Sequence, residues 1–200
     1  MKTLRIIIVC LLTSQVTYSQ SSRAHLGIEV GGGYNQLFWD GTPTVLCSCG
    51  NSIDEIRFSF TPEIRVNYST DVSQSLSVQP FVGYNRYGGA STYDSYWFDS
   101  VEFGTFLLFD ATYCFAGVGA KISRNFKVHY RHVGFNEDDG LADYFSDWAD
   151  NLGGRLTYTF APLSVSGEAW FGLNNIAGKG WGRATKIREN HFKAIVGYTY

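Results

Sequence analysis

The chain has 200 residues, a formal charge of −2, 17% charged and 16% aromatic residues, and 22 glycines. That length suits one domain, and the absence of a basic excess excludes a nucleic-acid partner. Sparse charge with abundant Tyr, Phe and Gly suits a β-barrel with aromatic girdles, and also suits a secreted soluble β-protein.

The first twenty residues read as a signal peptide. Lys2 and Arg5 supply a positive start, 6–12 is a short apolar run, and 13–20 is small and polar. The run is too short to span a bilayer as a helix. Cleavage near Ser19 or Gln20 would remove two bases and no acid, taking the formal charge from −2 to −4. No later segment reads as a transmembrane helix, which leaves a closed barrel as the other way to cross a membrane.

The first strand is expected over 25–35, with Leu26, Ile28, Val30 and Tyr34 on one face and Gly27, Glu29, Gly31 and Gly33 on the other. A long loop follows over 36–54. It contains Cys47-Ser48-Cys49, whose thiols lack a second Cys/His pair at zinc spacing. They read as a loop disulfide or two free thiols rather than a metal site.

The most informative stretch is 56–68. Ile56, Phe58, Phe60, Ile64, Val66 and Tyr68 alternate with Arg57, Ser59, Thr61, Glu63, Arg65 and Asn67. Period two makes it a strand with one apolar and one polar face. Arg57, Glu63 and Arg65 would be costly in a dry core unless paired, but suit the polar lumen of a membrane barrel.

A turn over 69–73 leads to a third strand over 74–87. Pro62 and Pro80 cannot donate to a ladder and are expected at bulges. A second long loop is expected over 88–100. Segment 101–122 reads as one long strand or as two broken near Asp110. Barrels of this kind have an even strand count, and that parity favours one strand ending in a tight turn at 123–125. The fifth strand is expected over 126–135, with Phe126, Val128, Tyr130 and His132 facing away from Lys127, His129 and Arg131. An acidic loop over 136–151 holds Glu137, Asp138, Asp139, Asp143, Asp147 and Asp150, without EF-hand spacing. Strands over 152–160 and 163–173 follow, joined at Ala161-Pro162. A basic loop over 174–190 with Lys179, Arg183, Lys186 and Arg188 precedes a closing strand over 191–200.

Four long loops alternating with three tight turns give an all-β fold: an eight-stranded antiparallel up-and-down transmembrane barrel over 25–200. The lumen set is expected to be Arg57, Glu63, Arg65, Lys127, Arg131, Arg155 and Glu168, salt-bridged across a narrow bore that side chains largely fill.

With its cleaved signal, amphipathic strands, long loops and aromatic ending Tyr198-Thr199-Tyr200, the chain resembles the small eight-stranded bacterial outer-membrane barrels. The short signal resembles those of Bacteroidetes-type bacteria. The resemblance implies outer-membrane location in a Gram-negative cell, insertion by the barrel-assembly machinery, contact with outer-membrane lipid and lipopolysaccharide, a monomer, and no cofactor or metal. Its function would lie in envelope structure, adhesion or ligand contact through the loops.

Residues 116–136, AGVGAKISRNFKVHYRHVGFN, also resemble the active-site region of outer-membrane lipid A deacylases, which carry His-x-Ser-Asn. Arg131 stands at the serine position if His129 is the histidine, and Gly134 if it is His132. Acyl transfer then lacks its nucleophile. His129, His132 and Glu168 are the weak catalytic candidates, against a plainer reading as lumen or rim residues. A lipocalin-like soluble barrel with the apolar face inward is the third alternative.

Overall fold

The computed structural model describes residues 24–40, 61–90, 94–111, 114–132, 135–138, 145–178 and 186–200. Every regular element among them is a strand: β1 (Ala24–Asp40), β2 (Glu63–Ser73), β3 (Leu76–Ala90), β4 (Asp94–Asp110), β5 (Phe115–His132), β6 (Phe135–Asp138), β7 (Trp148–Phe160), β8 (Leu163–Gly172) and β9 (Lys186–Thr199). Each neighbouring pair is antiparallel. The order β4-β3-β2-β1-β9-β8-β7-β5 closes through β4–β5, so eight strands form a ring. Among the described residues, the four-residue β6 pairs only with the loop-end part of β5.

The side chains settle which face is wet. Leu26, Ile28, Val30, Ile64, Val66, Phe103, Leu107, Leu152, Leu156, Phe192 and Val196 all point outward and are 40% exposed or more. In water each would forgo about 1.5–3 kcal/mol of burial. Glu29, Glu63, Arg65, Glu102, Lys121, Arg155, Glu168 and Lys193 point inward and are buried. An apolar belt outside and charge inside is the pattern of a transmembrane barrel, and it reverses that of a soluble carrier.

The segmentation differs from expectation in informative ways. Residues 56–60 lie outside the described set. β2 runs on through Ser73, leaving Gln74-Ser75 as the turn. Its polar end stays paired, with Asp71 opposite Ser77 and the Ser77 hydroxyl donating to Asp71 Oδ1 at 2.8 Å. Neither proline sits at a bulge. Pro62 precedes β2, and its carbonyl accepts the Arg86 N–H at 3.1 Å. Pro80 lies within β3, where the β2–β3 ladder skips between Asn67↔Phe81 and Thr70↔Val78 without changing register. The missing N–H accounts for the gap in that ladder.

The expected single strand over 101–122 is two strands. β4 ends at Asp110, a turn closed by the Ala111 N–H to the Cys114 carbonyl (2.9 Å) follows, and β5 begins at Phe115. The expected turn at 123–125 lies inside β5. Two of its three polar residues face the lumen: Ser123 and Asn125 are buried, Tyr87 donates to Asn125 Oδ1 at 2.8 Å, and the exposed Arg124 between them faces outward over the Trp148 ring. One false turn replaced one true turn, so the count of eight stands.

The expected loops also shrink. β4 starts at Asp94, β7 at Trp148 and β9 at Lys186, and β1 reaches Asp40. Roughly nine to eleven tilted residues cross a bilayer. β1 and β4 have 17 and β5 has 18, so the barrel stands well clear of the hydrocarbon at its loop end.

Two glycines make the lumen fillable. A Cβ on Gly83 would lie 2.5 Å from the Arg65 Cβ, and one on Gly104 would lie 2.4 Å from the Phe81 ring. Bulk at either position would displace the side chains that cross the bore.

Candidate functional site

Within the membrane-spanning zone the bore is a packed ionic lattice. Arg65 from β2 is at its centre. It donates to Glu29 on β1 and, through both terminal nitrogens, to Glu168 on β8; Glu63 lies 3.1 Å away. Its guanidinium covers the Phe81 ring at 4.7 Å and the Phe106 ring at 5.7 Å. Arg155 from β7 reaches Glu29, Gln79 Oε1 (3.1 Å) and the Ser166 hydroxyl (2.7 Å). Lys193 from β9 pairs with Glu63, and Lys121 from β5 donates to Glu102 Oε2 at 2.7 Å. Trp170 donates to Glu168 Oε2 at 2.8 Å and lies under the Lys121 ammonium at 4.9 Å.

A buried charge is tolerable only when paired and hydrogen-bonded. Here each arginine meets more than one carboxylate and an aromatic face. The planar guanidinium suits this bridging role better than an ammonium. With Arg65, Phe106 and Trp170 fully buried, the bore is plugged by side chains.

Toward the loop end the filling changes character. Tyr87 stacks on Phe98 (4.9 Å), Phe98 meets Phe145 edge-on (4.8 Å), and Leu37, Tyr96, Val128, Ala149, Ile176 and Ile187 complete a buried apolar cluster. Phe145 and Ile176 come from the segments before β7 and after β8, joined by a bridge between Phe145 and Ala177. A polar collar separates the two layers. In it Glu189 pairs with His191 (3.1 Å), Asn151 donates to Glu189 Oε1 (3.0 Å), and Tyr87 packs edge-on against His191 (5.0 Å).

The outer wall at the loop end carries its own polar cluster. Asp99 accepts from Arg86 Nε (2.7 Å) and Nη2 (3.1 Å) and from the Tyr84 hydroxyl (2.6 Å), and it meets His129 Nε2 at 2.8 Å. Burial pushes the Asp99 carboxyl up. The bonds from Arg86, Tyr84 and His129 outweigh it and hold the carboxyl below the usual carboxylate range.

Of the expected lumen set, Glu63, Arg65, Arg155 and Glu168 are in the bore, while Arg57 lies outside the described residues. Lys127 and Arg131 face outward instead. The β4–β5 register slips between Asp99↔Lys127 and Ser100↔Asn125, leaving Phe126 as an extra residue. The bulge flips the alternation: Lys121, Ser123 and Asn125 point inward before it, and Val128 after it. Sequence parity alone carries no sign of that slip. Glu29, Glu102, Lys121, Glu189, His191 and Lys193 were missed as lumen residues, although each alternates with an outward apolar or polar residue in the same strand.

The catalytic candidates do not assemble. Glu168 is locked in the bore by Arg65, His129 is on the outer wall with Asp99, and His132 ends β5 opposite Phe135. Cys47 and Cys49 lie outside the described residues, and Cys114 is a free, half-buried thiol. The acids expected in one loop are dispersed: Glu137 and Asp138 are on β6, Asp150 is on β7, and Asp139 and Asp143 lie outside the described residues. Among the described residues no three His, Cys, Asp or Glu side chains gather as a metal site.

No protein-family model matches the chain, and no curated protein matches it. Solved structures do. Neisserial surface protein A aligns over 90% of this chain and 100% of its own at 13% identity, with a TM-score of 0.51. Ail, the attachment invasion locus protein of Yersinia pestis, aligns over 89% and 99% at 12% identity and a TM-score of 0.49. The N-terminal β-barrel domain of Pseudomonas aeruginosa OprF aligns over 90% and 100% at 9% identity and a TM-score of 0.49. At such identities the first likeness speaks to the fold alone.

Proposed function

We propose that this chain is an integral protein of a bacterial outer membrane, exported by its signal peptide, whose barrel is a sealed anchor and whose loop end does the work. The short turns face the periplasm and the loop end faces outward, serving envelope structure, adhesion or ligand contact. The filled bore is the observation that carries this reading. A diffusion channel needs a continuous aqueous path, and here Arg65, Phe106, Trp170 and the apolar cluster above them occupy the section. The occupants are cross-linked by ion pairs, so clearing a path means breaking buried pairs, at about 3–5 kcal/mol each.

Two measurements test it. The purified barrel in planar bilayers is expected to show no sustained ion conductance, and steady open-channel currents would overturn the sealed-anchor reading. Intact cells expressing the protein are expected to present its loop end to externally added protease. Release of fatty acid from lipopolysaccharide by the purified protein, abolished by His129→Ala, would replace this reading with an enzymatic one.

A further inference from the structure

The outward row of β4 changes chemistry abruptly. From the turn end it reads Phe109, Leu107, Thr105, Phe103, Val101, then Asp99. Asp99 lies about eleven residues from Asp110; at roughly 3.3 Å each and a tilt of about 40°, that is roughly 28 Å along the barrel axis. This is close to the height of an apolar belt of about 25 Å. The Asp99 cluster therefore sits where the hydrocarbon ends and lipid headgroups begin.

What stands there is basic. Arg86, Lys127, His129 and Arg131 share the outer face of β3 and β5 with the carboxylate of Asp99, and Asp138 on β6 stands across the ladder from His129. Arg86 and His129 are held by that carboxylate. Arg86 remains 41% exposed, and Lys127 and Arg131 make no ion pair with a described residue. The bulge at Phe126 is what turns Lys127 and Arg131 outward into one patch with Arg86. Next to Lys127 on the membrane side, between it and the outward Arg124, the exposed Phe126 ring packs on Tyr84 at 6.4 Å, offering an apolar shelf beneath Lys127 and Arg131.

We infer that this patch is a binding site for the phosphate of an outer-leaflet lipid headgroup, with Lys127 and Arg131 as its principal donors, Arg86 as a third cation oriented by Asp99, and the lipid's acyl chain lying over Phe126 and Tyr84. Guanidinium and ammonium groups make short, charge-assisted bonds to phosphate oxygens. The partially desolvating interface strengthens them relative to open water. The same phosphate chemistry is carried by lipid A and by glycerophospholipids. The inference rests on the outer-membrane reading, because it requires the apolar belt to lie in a bilayer.

The test uses the folded, mature full chain in dodecyl maltoside micelles, titrated with lipid A or with phosphatidic acid, bound lipid being read by native mass spectrometry. The Lys127→Gln/Arg131→Gln double variant is expected to bind either lipid at least about tenfold more weakly, with the difference shrinking at high salt. The Lys186→Gln/Arg188→Gln variant removes the same charge from the end of β9 and is expected to bind as the parent does. Equal loss in both variants, or no loss at 127 and 131, overturns the site. Tighter binding of lipid A than of phosphatidic acid would assign the phosphate to a saccharide, and equal binding would assign a site that reads phosphate alone; either supports it. Heat-modifiable mobility and protease resistance in phosphatidylcholine vesicles report insertion separately. An inserted barrel without this lipid dependence sinks the headgroup site and leaves the membrane reading intact, and a chain that never inserts sinks both.

Discussion

The two halves of this barrel obey opposite rules. In the membrane half, the outside is apolar and the inside holds the ion pairs, packed on the rings of Phe81, Phe106 and Trp170; above it, the inside is apolar and the outside polar. β9 shows both along one strand. Its outward residues run from the loop end as Lys186, Arg188, Asn190, then Phe192, Ala194, Val196 and Tyr198, while its inward ones run Ile187, Glu189, His191, Lys193, Ile195. The alternation never breaks; only its sign changes, near Asn190. Solvent explains the inversion. Where lipid surrounds the wall, polar groups retreat inward and must pair with each other. Where water surrounds it, the ordinary soluble-protein arrangement returns, with a hydrophobic core of Phe98, Tyr87, Phe145 and Ile176.

The largest effect should come from breaking the ionic half. Arg65→Ala leaves Glu29, Glu63 and Glu168 without their shared cation and is expected to cost about 3–5 kcal/mol, measured by urea unfolding from lipid vesicles. Replacing a pair together, Glu102→Leu with Lys121→Met, should cost far less, because no charge is stranded. In the apolar half, Phe98→Ala should cost about 3 kcal/mol through the cavity it leaves. It should loosen the loop end to protease without preventing insertion. Smaller again is the outer wall. Val196→Arg, facing lipid, should cost about 2 kcal/mol, whereas Asn190→Arg, above the switch, should stay within about 0.5 kcal/mol. Equal costs at 190 and 196 would erase the distinction between the halves.

The same inversion explains what could be read from the chain and what could not. Strands 152–160 and 163–173 were legible because apolar and polar residues alternate cleanly and Ala161-Pro162 marks the turn between them. Glu63, Arg65, Arg155 and Glu168 were recognisable as lumen residues because charges on the polar face of a membrane strand have nowhere else to go. The loop-end extensions of β4 and β9 were read as loops. Tyr96, Phe98 and Ile187 face a core there, but Ser95, Asp99 and Arg188 between them resemble loop residues. The break between Asp110 and Phe115 was passed over for a false turn at Ser123-Arg124-Asn125, since polar side chains such as Ser123 and Asn125 that fill a lumen look like side chains that face water at a turn. Lys127 and Arg131 were assigned to the wrong face because a one-residue bulge reverses every position after it and depends on cross-strand register that a single sequence does not display.

The most direct test places a single spin label at successive positions of β9 in the vesicle-inserted protein, with the other cysteines replaced by serine, and compares collisions with oxygen and with a water-soluble nickel chelate. Labels at 192, 194 and 196 should meet oxygen and not nickel, labels at 186 and 188 should meet nickel, and labels at 187, 193 and 195 should be shielded from both. Nickel access at 192–196, or oxygen and nickel access without alternation, would contradict a closed barrel whose wall passes from lipid to water along a single strand.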